Sequence, residues 1–244
     1  MRNLRLDICY EGTRYRGWQR LPGCENTIQG KLEQALSRIL GEPIEIAASG
    51  RTDAGTHAKK QVVSFHCNSE MRCDEILQQL RRYLPDDIGI YSCRNVSPRF
   101  HARLNAKTKT YMYRVWNSQQ PCVFERKFVY IDPRPVDVEA MQKAANYFLG
   151  EHDFSAFCAN KNIKKSTVRY IERFEISCDD DEIYFTVTGN GFLHHMVRIM
   201  VGTLLEVGRG EREAESIPSL FAAKRAEAGM LIPACGLCLM EVNY

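Results

Sequence analysis

The decapeptide SGRTDAGTHA, residues 49–58, sets one carboxylate, Asp53, between an arginine, Arg51, and a turn-forming Ala-Gly pair. The preceding run, IEIAAS, has the composition of a strand, so Asp53 falls in a connection between regular elements, where a side chain is projected rather than absorbed. An ionised aspartate presented in this way suits a nucleophile or a general base, while the same spacing also suits a structural Asx turn. Ser49 and His57 lie close by in sequence. They do not read as a hydrolase triad, because no G-x-S-x-G elbow accompanies them and triads are assembled from distant segments.

A second chemical feature stands near the C-terminal end. The segment FLHHMVRIMVGTLLEV, residues 192–207, is apolar on nearly every side and reads as a buried helix with Arg198 in its middle. A guanidinium kept from water requires a carboxylate and further acceptors. Glu206 is eight residues along, too far at about 1.5 Å of rise per residue, which leaves Asp53 as the attractive partner. His194 and His195, as helix neighbours, would point about 100° apart and could not clasp one metal ion. Cys235 and Cys238 form a lone C-x-x-C without the second pair of a structural zinc site, and GNGFLHHMVR lacks the Lys-Ser/Thr of a phosphate loop. No metal and no cofactor is expected.

The whole chain bounds these readings. Its 244 residues, 44% hydrophobic, can bury a sizeable core. No run approaches the roughly 18 apolar residues of a membrane span, and MRNLRLDICYEG carries charges where a signal peptide has its apolar centre. A cytoplasmic protein with ten free thiols is the expectation, with no membrane partner. The net charge of +3 is modest but uneven. Residues 88–124 contain no acid yet include Arg94, Arg99, Arg103, Lys107, Lys109 and Arg114, interleaved with Phe100, Tyr111, Tyr113 and Trp116. Residues 154–171 repeat the pattern with Lys161, Lys164, Lys165 and Arg169 among Phe154, Phe157 and Tyr170. Basic, acid-free stretches with aromatics point to nucleic acid.

The elements that must position these groups follow from periodicity. LRLDICY alternates as a half-buried strand; a helix spans 27–41 with Thr27 or Asn26 as cap and Gly41 past its end. Strands at 44–49 and 62–67, a helix at 74–84 capped by Asp74, and a strand at 88–96 complete a β-α-β-β-α-β order. After a hinge-like segment at 98–105 the order returns: a strand at 109–116, a helix at 137–150 capped by Asp137, strands at 168–178 and 182–190 joined by Asp179, Asp180 and Asp181, the apolar helix, and a closing strand at 236–244. The predicted fold class is α+β, two ferredoxin-like halves (1–104 and 105–244) with antiparallel sheets flanked by helices.

From end to end the chain resembles the bacterial tRNA pseudouridine synthases of the TruA type. The blocks that carry the likeness are YEGTRYRGWQR, TIQGKLEQAL, SGRTDAGTHA, FHARLNAKTKTYMYRV, FSAFC with TVRYI, GNGFLHHMVRIMVGTLLEVGRG and PACGLCLMEVNY, in register. The resemblance implies the pseudouridine synthase fold, Asp53 as the catalytic aspartate, Arg198 beside it, Tyr111 stacking on the target base, and Arg51 and Leu237 as further substrate contacts. It also implies that uridines 38–40 in the tRNA anticodon stem-loop are the substrate and a homodimer is the working form. Leu104 and Asn105 stand where the family more often has an aromatic and a serine, and AGMLIPA, with Met230, Leu231 and Ile232, replaces a commoner A-G-P-T-A-P-A; these changes bear on substrate choice.

Converting uridine to pseudouridine breaks the N1–C1′ bond, turns the freed uracil, joins C5 to C1′ and removes the C5 proton. Nothing is oxidised. The base must leave its stack, which costs a few kcal/mol that a basic groove and an aromatic platform can offset. Whether Asp53 acts at C1′, C6 or the 2′ carbon is open at this level. The main rival is a non-catalytic RNA-binding protein with two RRM-like modules, which lacks its aromatic RNP1 signature here. An aspartate-dependent phosphohydrolase would need more acids around Asp53 to hold magnesium.

Overall fold

The computed structural model describes residues 1–160 and 165–244, so Lys161 and Lys164 of the second basic run lie outside the described residues. Two compact units emerge, one made of Met1–Lys107 with Cys238–Tyr244, the other of Thr108–Leu237. The first contains β1 (Arg2–Tyr10), α1 (Ile28–Leu40), β2 (Ala47–Ala48), β3 (His57–Cys67), α2 (Cys73–Tyr83) and β4 (Ile88–Val96). The second contains β5 (Thr108–Trp116), β6 (Tyr130–Ile131), α3 (Val138–Asn146), β7 (Gly150–Asp153), β8 (Val168–Asp179), β9 (Glu182–Gly189), α4 (Met196–Gly208) and a short α5 (Ile217–Leu220). A last strand, β10 (Leu237–Asn243), runs from the end of the second unit into the first.

In the first unit β1 is antiparallel to both β3 and β4, and β2 pairs antiparallel with the far half of β3, which gives the ferredoxin-like order β4-β1-β3-β2. β10 lies parallel to the other half of β3, with Cys238 opposite His57. The alternation read in LRLDICY is real: Leu4, Leu6, Ile8 and Tyr10 are buried and their neighbours less so. Ile28, Leu32 and Leu36 of α1 and Ile76 and Leu80 of α2 complete that core. Thr27 caps α1 by accepting a bond from the Gly30 amide at 3.2 Å, and Gly41 ends it in the left-handed region.

The second unit is an antiparallel sheet ordered β5-β9-β8-β7, with β6 added parallel to the end of β5. Asp180 takes a positive φ of 48° in the acidic turn of the β8–β9 hairpin. α4 is buried all round, and only Arg198 and Glu206 of its 13 residues escape full burial. Both units are therefore of the expected α+β class. Among the described residues no helix is long and apolar enough to cross a membrane, and the ten cysteines are free thiols.

Several boundaries differ from the sequence reading. α2 begins at Cys73 after Arg72, not after a cap at Asp74, because the Glu75 carboxylate accepts the Arg72 amide at 3.1 Å. α3 stops at Asn146, since Gly150, at φ 93°, opens β7 instead of extending the helix. α4 starts at Met196, not at residue 192, because His195 sits in the left-handed region (φ 65°), a conformation no right-handed helix continues through.

A buried ion cluster locks the second unit. Asp132, directly after β6, accepts bonds from Arg134 at 2.7 and 2.6 Å and from Arg209 at 3.3 Å, and its amide donates to the Trp116 carbonyl at 3.0 Å. Burial alone would push its carboxyl up, but the hydrogen bonds and charge of the two guanidiniums outweigh this and hold it below the usual carboxylate range. A carboxyl lowered on folding adds stability above its unfolded value and loses it as pH falls through the folded value. Asp132→Asn is expected to cost about 1–3 kcal/mol at neutral pH in urea unfolding, because it removes the anion from Arg134 and leaves the buried Arg209 with Glu211 alone, which takes its Nε and Nη2 at 2.8 Å. The deficit should shrink below about pH 4. A difference that stays constant across that range would contradict the assignment.

Candidate active site

Asp53 opens a turn, with Ala54 and Gly55 at its tip, that is clamped from several sides within the first unit. The Thr56 amide closes the turn on the Asp53 carbonyl at 3.1 Å. The loop between β1 and α1 passes over it, and the Trp18 amide donates to the Thr52 carbonyl at 3.0 Å. That approach requires Gly17, whose φ is 90° and where a Cβ would lie 2.9 Å from the Thr52 carbonyl oxygen. Gly12 permits the second approach, since a Cβ there would meet the Thr56 carbonyl oxygen at 2.0 Å. Trp18 is buried, and its ring lies 6.0 Å from that of Tyr10.

Side chains finish the clamp. The Tyr10 hydroxyl and the Thr52 hydroxyl are 2.8 Å apart, both buried. The Gly12 amide donates to His57 Nδ1 at 3.0 Å. Ser49 donates to the Gln61 side-chain oxygen, while the Gln61 amide nitrogen donates to the Gly50 carbonyl at 3.0 Å. Ser49 and His57 are thus committed to holding the turn, which agrees with the rejection of a triad. Asp53 itself is half-buried and Arg51 exposed, so the carboxylate stands out from a rigid frame. Sequence reasoning missed Tyr10, Trp18 and Gln61 as the supports; the glycines of YEGTRYRGW were the available signal.

The second unit carries the other candidates. Tyr111 lies in β5 opposite Val187, is buried, and meets the Phe192 ring edge-on with centroids 5.1 Å apart. Arg198 falls in the first turn of α4 and not mid-helix, and it is half-buried. Its Nε donates to the Ile232 carbonyl at 2.8 Å. Glu206 is engaged elsewhere, accepting the Met230 amide and the Arg212 guanidinium, each at 3.0 Å. Leu237 is buried at the start of β10, its amide on the Ala234 carbonyl at 2.9 Å.

The segment 228–236, which no periodicity announced, is laid along α4 and β5. The Gly229 amide donates to Thr203 Oγ1 at 3.0 Å, Tyr113 Oη donates to the Pro233 carbonyl at 2.6 Å, and the Arg114 amide donates to the Gly236 carbonyl at 2.9 Å. Ile232 is buried there, whereas Met230 and Leu231 face out. Leu104 is exposed at the tip of a turn that Asn105 closes by accepting the His101 amide at 2.7 Å. His194 and His195 precede α4 instead of lying on it, and their rings lie side by side with centroids 3.7 Å apart and planes tilted by 31°, so the expected 100° divergence does not apply.

Comparison with known proteins is consistent across the chain. A family model described as tRNA pseudouridine synthase matches residues 8–105 and 144–244. A Bacillus cereus (strain ZK / E33L) protein, tRNA pseudouridine synthase A 2, is 43% identical over 245 residues, covering 100% of both chains. tRNA pseudouridine synthase A of Acetivibrio thermocellus is 44% identical with the same full coverage. Among solved structures, a chain of a Cbf5-Nop10-Gar1 complex aligns with a TM-score of 0.40 at 10% identity, over 97% of this chain and 48% of that one, a likeness too weak to bear on the fold.

The clamp yields a direct expectation. Gly17→Ala combines a strained φ with a contact against the Thr52 carbonyl and should cost about 1–3 kcal/mol, with faster hydrogen exchange at the Trp18 and Thr56 amides. Gly23→Ala, at φ 70° with nothing within 4 Å, is the control for strain alone and should leave those two amides protected. Equal exchange at Trp18 in both variants would contradict the clamp.

Proposed function

The chain belongs to the family of tRNA pseudouridine synthases, and on that premise we propose that it isomerises uridines 38–40 in the anticodon stem-loop of tRNA with Asp53 as the reacting carboxylate. Family membership decides for the enzyme, an isomerase, over the non-catalytic RNA-binding module. The observation that carries the residue assignment is the clamped turn. A frame that fixes Thr52 and Thr56 on either side of the turn that Asp53 opens spends its hydrogen bonds on orienting one carboxylate.

In this reading the uridine is drawn out of its stack and its ring lies on Tyr111, whose own ring is braced by Phe192. Asp53 starts cleavage of the N1–C1′ bond. The freed uracil turns, C5 bonds to C1′, the C5 proton leaves and N1, no longer bonded to the sugar, gains one, so the sum is an isomerisation. Tyr111 assists the C5 proton transfer. Arg198, its direction fixed by the Ile232 carbonyl, supplies the positive charge that the reacting carboxylate works with. Arg51, exposed two residues before Asp53, contacts the nucleotide's phosphates, and Leu237 supplies an apolar contact to the base. The proposed working form is a homodimer in the cytoplasm.

Incubation of an unmodified tRNA transcript with the protein, followed by carbodiimide mapping, is expected to place pseudouridine at 38–40; modification confined to another arm would overturn the substrate assignment. Arg198→Met should lower kcat by about 100-fold or more, the scale of one lost electrostatic donor, with Arg198→Lys recovering part of it. Tyr111→Phe, which keeps the ring, should hold KM within about threefold while kcat falls. A wild-type kcat in Arg198→Met would remove that residue from the mechanism.

A further inference from the structure

The first unit holds a concave surface whose lining contains none of the residues assigned to the reaction. A cleft of about 530 Å³ is lined by Arg14 and Tyr15 from the loop after β1, by Lys31 and Arg38 from α1, and by Tyr83 at the end of α2. That volume lies in the range of small-ligand sites, about 300–1,000 Å³. No acidic residue is among those lining it. The Arg14 charge is matched by Asp87, which accepts its Nε at 3.0 Å and also takes the Tyr15 hydroxyl. Lys31 and Arg38 are left as the cations of the cleft.

The aromatic component sits on the same wall. The Arg38 guanidinium lies over the Tyr83 ring at 4.8 Å from its centroid, and Tyr83 is 47% exposed. A guanidinium laid on an open phenol ring forms a flat, positively charged face, the surface on which a nucleobase stacks while its phosphate meets neighbouring cations. An acidic peptide would use the cations but not the stack.

We propose that this cleft binds a nucleotide of the tRNA substrate other than the one that reacts, its backbone phosphates on Lys31 and Arg38 and its base on the Arg38–Tyr83 pair. The inference rests on the reading of the chain as a tRNA-modifying enzyme. It also has a mechanical basis within the unit: the loop that presents Arg14 and Tyr15 to the cleft is the loop whose Gly17 and Trp18 clamp the Asp53 turn. The loop is stiffened by the Arg16 amide on the Asn26 carbonyl at 2.9 Å and by the Asn26 side chain on the Arg14 carbonyl. RNA held in the cleft therefore sets the register of the strand relative to Asp53 without touching it.

The test is filter binding of an unmodified tRNA transcript across 50–200 mM salt. Lys31→Gln with Arg38→Gln should weaken binding at least about tenfold and flatten the dependence of log K on log salt by about 1.4–1.8, the release of counterions from two phosphates. Tyr83→Ala should weaken it about fivefold or more with the slope unchanged. In turnover assays the losses should appear in KM and not in kcat. Wild-type affinity and slope in both variants would overturn the proposal. So would saturable quenching of tyrosine fluorescence by adenosine monophosphate with tRNA affinity unaltered, which would assign the cleft to free nucleotides. Pseudouridine formation by the wild type is measured on the same preparation. Its absence alongside cleft-dependent tRNA binding would sink the assigned reaction and leave this inference standing.

Discussion

The bond from the Trp18 amide to the Thr52 carbonyl is the constraint on which the site depends. It brings the β1–α1 loop down onto the turn that carries Asp53, at a distance only glycine at position 17 allows. The bonds made by Tyr10, His57, Ser49 and Gln61 then fix the turn on its other sides. Each contributes about 1 kcal/mol net, too little to matter singly, but together they leave the backbone one conformation. Orientation set before substrate arrives lowers the barrier more effectively than orientation acquired on binding.

The second unit solves a different problem, holding a cation in the first turn of an otherwise apolar helix. α4 is buried almost all round, and its Thr203 and Glu206 side chains are the attachment points for segment 228–236. That segment returns an acceptor, the Ile232 carbonyl, to the Arg198 Nε. Met230 and Leu231 face outward while Ile232 is buried, so two of the three departures in AGMLIPA alter exposed side chains and the third alters a buried one, while the acceptor offered to Arg198 is a backbone carbonyl common to every residue type. The placement suits variation in substrate choice over an unchanged reaction.

How much of this was legible in the sequence varies with the physics involved. α1 could be read because Thr27 and Gly41 are strong local signals, and β1 because its period is two. The start of α4 could not, since the left-handed turn at His195 is imposed by its surroundings and residues 192–195 look as apolar as the helix they precede. β2 shrank to two residues, and α3 ended at Asn146 in a turn ahead of β7, for similar reasons of tertiary context. The resemblance named Asp53, Tyr111 and Arg198 as site residues, but not the clamp around the first, because hydrogen bonds between Tyr10, Trp18 and Thr52 join positions more than thirty residues apart. The basic cleft was equally hidden: Lys31 and Arg38 look like the solvated face of an amphipathic helix until Tyr83 is placed beside them.

The most direct measurement of the central claim is release of tritium from C5-labelled uridine in tRNA by Asp53→Asn, a change that removes the charge and keeps the shape. Release is expected to fall to background while tRNA binding and the melting curve stay those of the wild type. Release at the wild-type rate from a protein so folded would show that the clamped turn serves some purpose other than presenting the reacting carboxylate.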